Sequence, residues 1–118
     1  MEESYMHEIG VLMEVVKSVE RYAAENEVES IVTLVLQIGE LSSMIPKYMK
    51  TLYPAAVEGT ILDGSELEIE ILPANGLCKS CNKVFKVLEY QGRCPICNDN
   101  NIEVLSGKEF FIKEIVCY

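Results

Sequence analysis

The sequence predicts an α+β fold: two helices on a three-stranded sheet, with a small cysteine-bearing lobe inserted before the last strand. Three observations carry this. One long stretch repeats its apolar residues at spacings of three and four, as a helix with one buried face does. Three shorter segments have the β-branched or alternating pattern of strands. Two Cys-x-x-Cys pairs, Cys78/Cys81 and Cys94/Cys97, stand between the last two of those segments. A chain of 118 residues with 49% hydrophobic content can bury one such core and is not disordered.

Taken in order, Met1 to Tyr5 reads as a short polar leader. From Met6, a helical stripe runs through Ile9, Leu12, Met13, Val16, Val19 and Ala23, widened by Val11, Val15 and Tyr22. Glu14, Lys17, Glu20 and Arg21 lie opposite, and the helix should fade near Asn26. Residues 31–38 form a β-branched strand stopped by Gly39, with Val32, Leu34, Leu36 and Ile38 on its more apolar face. A loop follows to Ser43. Pro46 suits the first turn of a second helix, and Tyr48, Met49, Leu52 and Tyr53 keep helical spacing. Pro54 removes a backbone donor and should kink or break that helix. Met44 and Met49 read as core fillers. Gly59 and Gly64 mark a turn, after which Glu66 to Ile71 alternates strictly, a half-exposed strand with its carboxylates in water. Residues 102–105 suggest a short strand and 110–116 the last one. The sheet would comprise 31–38, 66–72 and 109–116. The predicted domains are residues 1–72 with 108–118, and residues 73–107 as the inserted lobe.

The cysteines carry the strongest chemical signal. Two pairs separated by twelve residues bring four thiolates to one tetrahedral centre, each pair folding as a tight knuckle. Asn82 and Asn98 follow the second cysteine of each pair, where a left-handed backbone is often needed and Asn tolerates it. Four thiolates leave no open position for water or substrate, so the site reads as structural zinc in a zinc-ribbon-like lobe. Iron as an electron carrier and a pair of disulfides are the alternatives. Nothing marks the chain as secreted, and no apolar run approaches the roughly 20 residues of a membrane span. The expected compartment is the reducing cytoplasm. Such a lobe is too small to fold on its own apolar burial, so metal binding supplies its folding energy.

Charge narrows the partners. The formal net charge is −9, and residues 1–77 carry four Lys/Arg against fourteen Asp/Glu. The cysteine loop is the basic part, with Lys79, Lys83, Lys86 and Arg93 against Glu89 alone. A zinc-bound four-thiolate centre adds about −2 and nearly cancels that excess. Nucleic acid is therefore not expected as a partner, nor is a membrane. Metal cations or a basic protein surface suit the acidic body better.

The single histidine, His7, lies in Met6-His7-Glu8 at the start of the first helix. Alone it would be an ordinary surface residue. The larger pattern runs through Ile38-Gly39-Glu40-Leu41-Ser42, Pro46, Gly59-Thr60, Gly64, Leu67-Glu68-Ile69-Glu70, Pro73, the two cysteine pairs and Ile112-Lys113-Glu114. In that order and spacing the chain resembles the HypA/HybF family of nickel metallochaperones from about Met6 to Val116.

The resemblance implies a nickel site at His7, with Met6 and Glu8 contributing through backbone or side chain, and structural zinc at Cys78, Cys81, Cys94 and Cys97. It implies transferable Ni(II), delivered with a GTP-hydrolysing maturation partner to the large subunit of nickel–iron hydrogenase, with urease a further recipient in some organisms. Nickel(II) favours nitrogen donors, and an exposed His near a chain end can surrender what it binds. The chain departs from the family pattern in three places. Met-His-Glu begins at residue 6 where the family begins at residue 1, as a misassigned start, a removed leader or a real extension would each explain. Pro54 interrupts the second helix, and no second histidine stands in the lobe. Glu8 or Glu40 could complete the site. The rival is a zinc-ribbon interaction module without a nickel role, contacting protein through its Lys and Arg residues. An enzyme is not expected, because His7 and Glu8 lack a nucleophile and the thiols are committed to metal. Cys117 reads as a small hydrophobe on the last strand, with a free thiol that links chains on oxidation as the alternative.

Overall fold

Helix α1 spans Glu3–Glu25 in the computed structural model, which describes residues 3–118 and side chains from Met6 onward. The helix thus includes residues that the sequence assigned to a leader, and His7 lies beyond its first turn. Its buried face is Glu8, Leu12, Val15, Val16, Val19 and Ala23. This is the helical period of the predicted stripe, shifted slightly: Met13 and Tyr22 are 53% and 45% exposed. Both stand a step off the line through Leu12 and Val19, so helical geometry turns them outward. The helix closes with Val28 N–H on the Ala23 carbonyl at 2.9 Å while Glu27 takes φ 54°, a left-handed terminus of the kind usually built on Gly.

Strand β1, Ile31–Gly39, buries Leu34, Val35 and Leu36 in succession rather than alternately. It is the middle strand of a sheet whose order is β2-β1-β6, where β2 is Glu66–Leu72 and β6 is Phe110–Cys117. A central strand with apolar neighbours on both faces loses the period of two, and Val32 is left 42% exposed. Tyr118 N–H bonds the Ser30 carbonyl at 2.9 Å and Gly39 N–H the Glu109 carbonyl at 2.8 Å, so β6 runs antiparallel to β1. On β2 the glutamates are exposed as expected, and Glu70 pairs with Lys113 at 2.8 Å.

Helix α2 spans Pro46–Ala56 and contains Pro54 without breaking there. Pro54 sits in the last turn, where its missing N–H removes one bond. Val57 N–H still closes the end on the Tyr53 carbonyl at 3.1 Å. Met44, Met49 and Tyr53 are buried.

The second sheet has order β4-β3-β5, with β3 at Asn75–Cys78, β4 at Val84–Lys86 and β5 at Ile102–Val104, and both pairings are antiparallel. The sequence predicted only the last of these strands. Contacts divide the chain into two units: the chain up to Leu36 with Ser43–Glu70 and Phe111–Tyr118, and Gln37–Ser42 with Ile71–Phe110. Within the second unit, the segments flanking the cysteine loop hold each other. Leu105 N–H bonds the Asn75 carbonyl at 2.7 Å, Leu41 N–H the Gly107 carbonyl at 2.7 Å, and Ser106 Oγ the Pro73 carbonyl at 3.0 Å. Two glycines are required here. A Cβ on Gly39 would collide with the Gly107 backbone, and one on Gly107, at φ 104°, would lie 2.5 Å from Ala74 Cα.

Candidate metal centre and the His7 region

Each cysteine pair sits on the same backbone device. In the first, Asn82 N–H bonds the Cys78 carbonyl at 2.8 Å, Cys78 N–H bonds the Lys83 carbonyl at 2.8 Å, and Asn82 has φ 62°. In the second, Asn98 N–H bonds the Cys94 carbonyl at 2.8 Å, Cys94 N–H bonds the Asp99 carbonyl at 2.9 Å, and Asn98 has φ 63°. The left-handed residue lets the chain reverse in one step, which turns both sulfurs of a pair toward the same side.

The knuckles are tied to each other. Ser80 Oγ donates a short hydrogen bond to Asp99 Oδ2, and Lys79 N–H bonds the Asn101 carbonyl at 3.0 Å. Asp99 Oδ1 also accepts the Asn100 N–H at 2.7 Å. The Ser80 hydroxyl, then the Asn100 and Asn101 amides, hold the Asp99 carboxyl below its ordinary range. Cys78 and Cys94 are buried against Phe85, with Cys81 and Ile102 packed on that cluster, and Phe85 meets Tyr90 edge-on at 6.1 Å.

All four sulfurs lie within 4.8 Å of one another, and Cys78–Cys97 and Cys81–Cys94 are each 3.5 Å apart. A disulfide needs about 2.05 Å, and the five cysteines are free thiols. A tetrahedral ion with bonds of about 2.3 Å to sulfur would separate the sulfurs by about 3.8 Å. The arrangement therefore fits a four-thiolate ion and excludes the disulfide alternative. Electrostatics agree. The backbone N–H of Cys97, then that of Ile96, stabilises the Cys94 thiolate and brings its pKa down to about 6 against the cost of burial. Burial, then the neighbouring Cys94, pushes Cys81 up to about 12. On Cys97 the Asp99 N–H pulls downward, but Cys78 and burial outweigh it and the thiol is raised.

Among the described residues these cysteines are the one group of three or more His, Cys, Asp or Glu able to share an ion. The glutamate row on β2 is not such a group. Nor does His7 belong to one. His7 is exposed, its Nε2 lies 3.1 Å from Ser43 Oγ, and Nδ1 meets no hydrogen-bond partner among the described residues. Met6 is 63% exposed. Glu8 is turned inward and only 1% exposed: Oε2 accepts the Ile45 N–H at 2.9 Å, while Oε1 is buried without a partner. Glu40 accepts the Ala74 N–H through Oε1 at 2.7 Å. Both carboxylates that the sequence offered as added ligands therefore have local structural work. The signal for Glu8 was present, since residue 8 falls on the period of Leu12, Val15/Val16, Val19 and Ala23. Nothing in the sequence pointed to Ser43.

A small α+β metal-binding protein with a four-cysteine centre is the class that this fold and site define. Residues 6–117 match the family described as hydrogenase/urease nickel incorporation, metallochaperone, HypA. The hydrogenase maturation factor HypA of Geobacter sulfurreducens is 36% identical over 110 residues, covering 93% of this chain and 97% of that protein. That of Desulfitobacterium hafniense is 31% identical over 110 residues, covering 93% and 96%. The solution structure of the Ni metallochaperone HypA from Helicobacter pylori is similar with a TM-score of 0.64 at 26% identity, over 93% of this chain and 96% of that one. The chain belongs to the HypA family of nickel metallochaperones for hydrogenase maturation, with a four-cysteine metal site. The rival reading as a zinc-ribbon module without a nickel role is not favoured.

Proposed function

We propose that this chain carries Ni(II) at His7 and keeps a structural Zn(II) at Cys78, Cys81, Cys94 and Cys97. In this reading residues 1–72 with 108–118 form the nickel-bearing part and 73–107 the zinc lobe. Met6 and Glu8 contribute through their backbone, while the Glu8 carboxylate braces Ile45. The cargo passes, with a GTP-hydrolysing maturation protein, to the large subunit of nickel–iron hydrogenase in the cytoplasm. No helix among the described residues is long and apolar enough to cross a membrane. The chain performs no chemistry of its own.

One observation supports this above the others. The four cage sulfurs, set by backbone, lie within 4.8 Å of one another, whereas His7 is a single exposed side chain whose Nε2 meets Ser43 Oγ at 3.1 Å. Retention suits the first and surrender the second.

The test is a nickel titration at neutral pH of zinc-loaded protein. Stoichiometric binding should be lost in His7→Ala while zinc stays at about one equivalent. Binding unaffected by His7→Ala would sink this site. A second comparison concerns residues 1–5. A helix running from Glu3 commits the His7 amide to the carbonyl four residues back, so amide coordination must first open that turn. A polypeptide beginning at Met6 instead offers an amine with a pKa of about 8. It should bind nickel much more tightly than one beginning at Met1, and equal affinities would rule out amine coordination.

A further inference from the structure

We propose that Ser43 is a positioning residue for the nickel ligand: its hydroxyl holds His7 by Nε2 and so reserves Nδ1 for the metal. This rests on the reading that His7 binds nickel. His7 Nε2 lies 3.1 Å from Ser43 Oγ, and Nδ1 is free of partners among the described residues. Ser43 is not on a loose loop. The next residue, Met44, is 6% exposed, and the one after it, Ile45, is pinned by its N–H to Glu8 Oε2 at 2.9 Å. Adjacent residues on α1 thus grip the same three-residue segment, Glu8 by its backbone and His7 by its hydroxyl.

The choice of nitrogen matters chemically. An imidazole that chelates together with its own backbone nitrogen does so through Nδ1, because that closes a six-membered ring. Nε2 points away and cannot close one of comparable size. A neutral imidazole carries one proton, so the nitrogen that donates to a partner leaves the other with its lone pair. The 3.1 Å contact admits either donor; in the proposed assignment Nε2–H donates to Ser43 Oγ, which fixes that tautomer and the ring's orientation together. Metal at Nδ1 then acidifies Nε2–H and strengthens the same bond. Partners of this kind typically account for about 10–100-fold in metal affinity when removed.

The single histidine makes the test clean. Long-range proton–nitrogen correlation spectra of 15N-labelled protein, without nickel and at a pH where the ring is neutral, report one imidazole. The full chain should show the Nε2–H form in clear excess over a short Met-His-Glu peptide. Ser43→Ala should fall back to the peptide ratio, and Ser43→Thr should restore the excess. Nickel affinity should drop about tenfold in Ser43→Ala and recover in Ser43→Thr. An unchanged tautomer ratio in Ser43→Ala overturns the proposal. So does equal nickel affinity of Ser43→Ala and the wild type where His7→Ala abolishes binding, and this outcome leaves the carrier reading standing. Nickel binding indifferent to His7→Ala overturns both.

Discussion

The cysteine cage and the His7 region hold their donor atoms by opposite means. In the cage the backbone does the positioning: four reverse-turn bonds of 2.8–2.9 Å, two left-handed asparagines and a buried floor of Phe85 fix the sulfurs before any ion is considered. At His7 one exposed side chain meets another, Ser43, at 3.1 Å on the protein surface. A neutral hydrogen bond contributes about 0.5–1.5 kcal/mol, whereas a structural zinc ion in a small lobe contributes roughly 10–16 kcal/mol. On the proposed reading, the contrast is between a zinc site that cannot be left without unfolding its surroundings and a nickel site that can be emptied at little structural cost.

The hardest blow to that comparison is Cys94→Ser. Cys94 is 2% exposed and its sulfur accepts the Ile96 N–H at 3.4 Å, so the change removes a ligand and a knuckle contact together. Zinc content should fall from about one equivalent to near none. Amide exchange in 78–104 should rise toward that of an unfolded chain, while 31–38 stays protected. Full zinc retention would defeat the four-ligand assignment. Loss of protection in both segments would show one cooperative domain, in which the cage braces the whole chain.

Glu8 separates ligand from brace. Glu8→Ala leaves the Ile45 N–H without its acceptor and should cost about 1–3 kcal/mol, read as a lower midpoint in urea. Glu8→Gln keeps an oxygen for that N–H but removes the charge. If the carboxylate only braces the segment, Glu8→Gln should bind nickel as the wild type does. Weaker nickel binding at wild-type stability would make Glu8 a ligand, and the His7 region would then be less open than its geometry suggests.

These two tests fall on opposite sides of what the sequence made legible. The cage was readable because ligand identity and spacing are local: Cys-x-x-Cys-Asn states both the donors and the left-handed turn, and φ values of 62° and 63° at Asn82 and Asn98 follow. The helices were readable from hydrophobic period and the three strands of the first sheet from β-branched or alternating runs, though their order β2-β1-β6 was not. Strands β3 and β4 were not, since Asn75-Gly76-Leu77-Cys78 has no strand composition and its pairing with Val84–Lys86 is imposed by the turn between them. Nor were the contacts from Glu8 to Ile45, Glu40 to Ala74 and His7 to Ser43, which join residues 34 to 37 positions apart. Pairings of that range depend on the finished fold and leave no periodic trace.

The pH sharpens the comparison. Protons compete with the ion for thiolate, so acid should empty the cage first. Alkali should strike the helical body. Burial raises the Tyr53 phenol above its ordinary pKa of 10, and the Ser65 contact at 2.7 Å only partly opposes this. A raised acid group binds its proton more tightly in the native chain. Its stabilising effect is therefore complete below pH 10 and is lost as the pH climbs through the folded value. Unfolding midpoints measured from pH 8 to 11 should fall at the alkaline end with zinc retained. Tyr53→Phe should flatten that fall and cost about 1 kcal/mol at neutral pH. An unaltered alkaline fall in the variant would assign it to another group.

The smallest effect compares how the two regions handle left-handed backbone. Both knuckles place Asn there, which tolerates it, whereas the end of α1 places Glu27 at φ 54°. A side chain with a Cβ pays about 1 kcal/mol in that conformation, and Gly would relieve it while losing some of the gain to a more flexible unfolded chain. Glu27→Gly should therefore stabilise the body by about 0.5 kcal/mol and raise its melting temperature by about 2 °C. Helix α1 unfolding followed at 222 nm is the measurement, with zinc release to a chelator recorded on the same samples. The release rate should not change, because residue 27 belongs to the unit that lacks the four cage cysteines. Slower zinc release alongside the higher melting temperature would mean that the cage draws on the stability of the helical body. The two regions would then be coupled, and the proposed release of nickel from His7 would have to be weighed against the same shared stability.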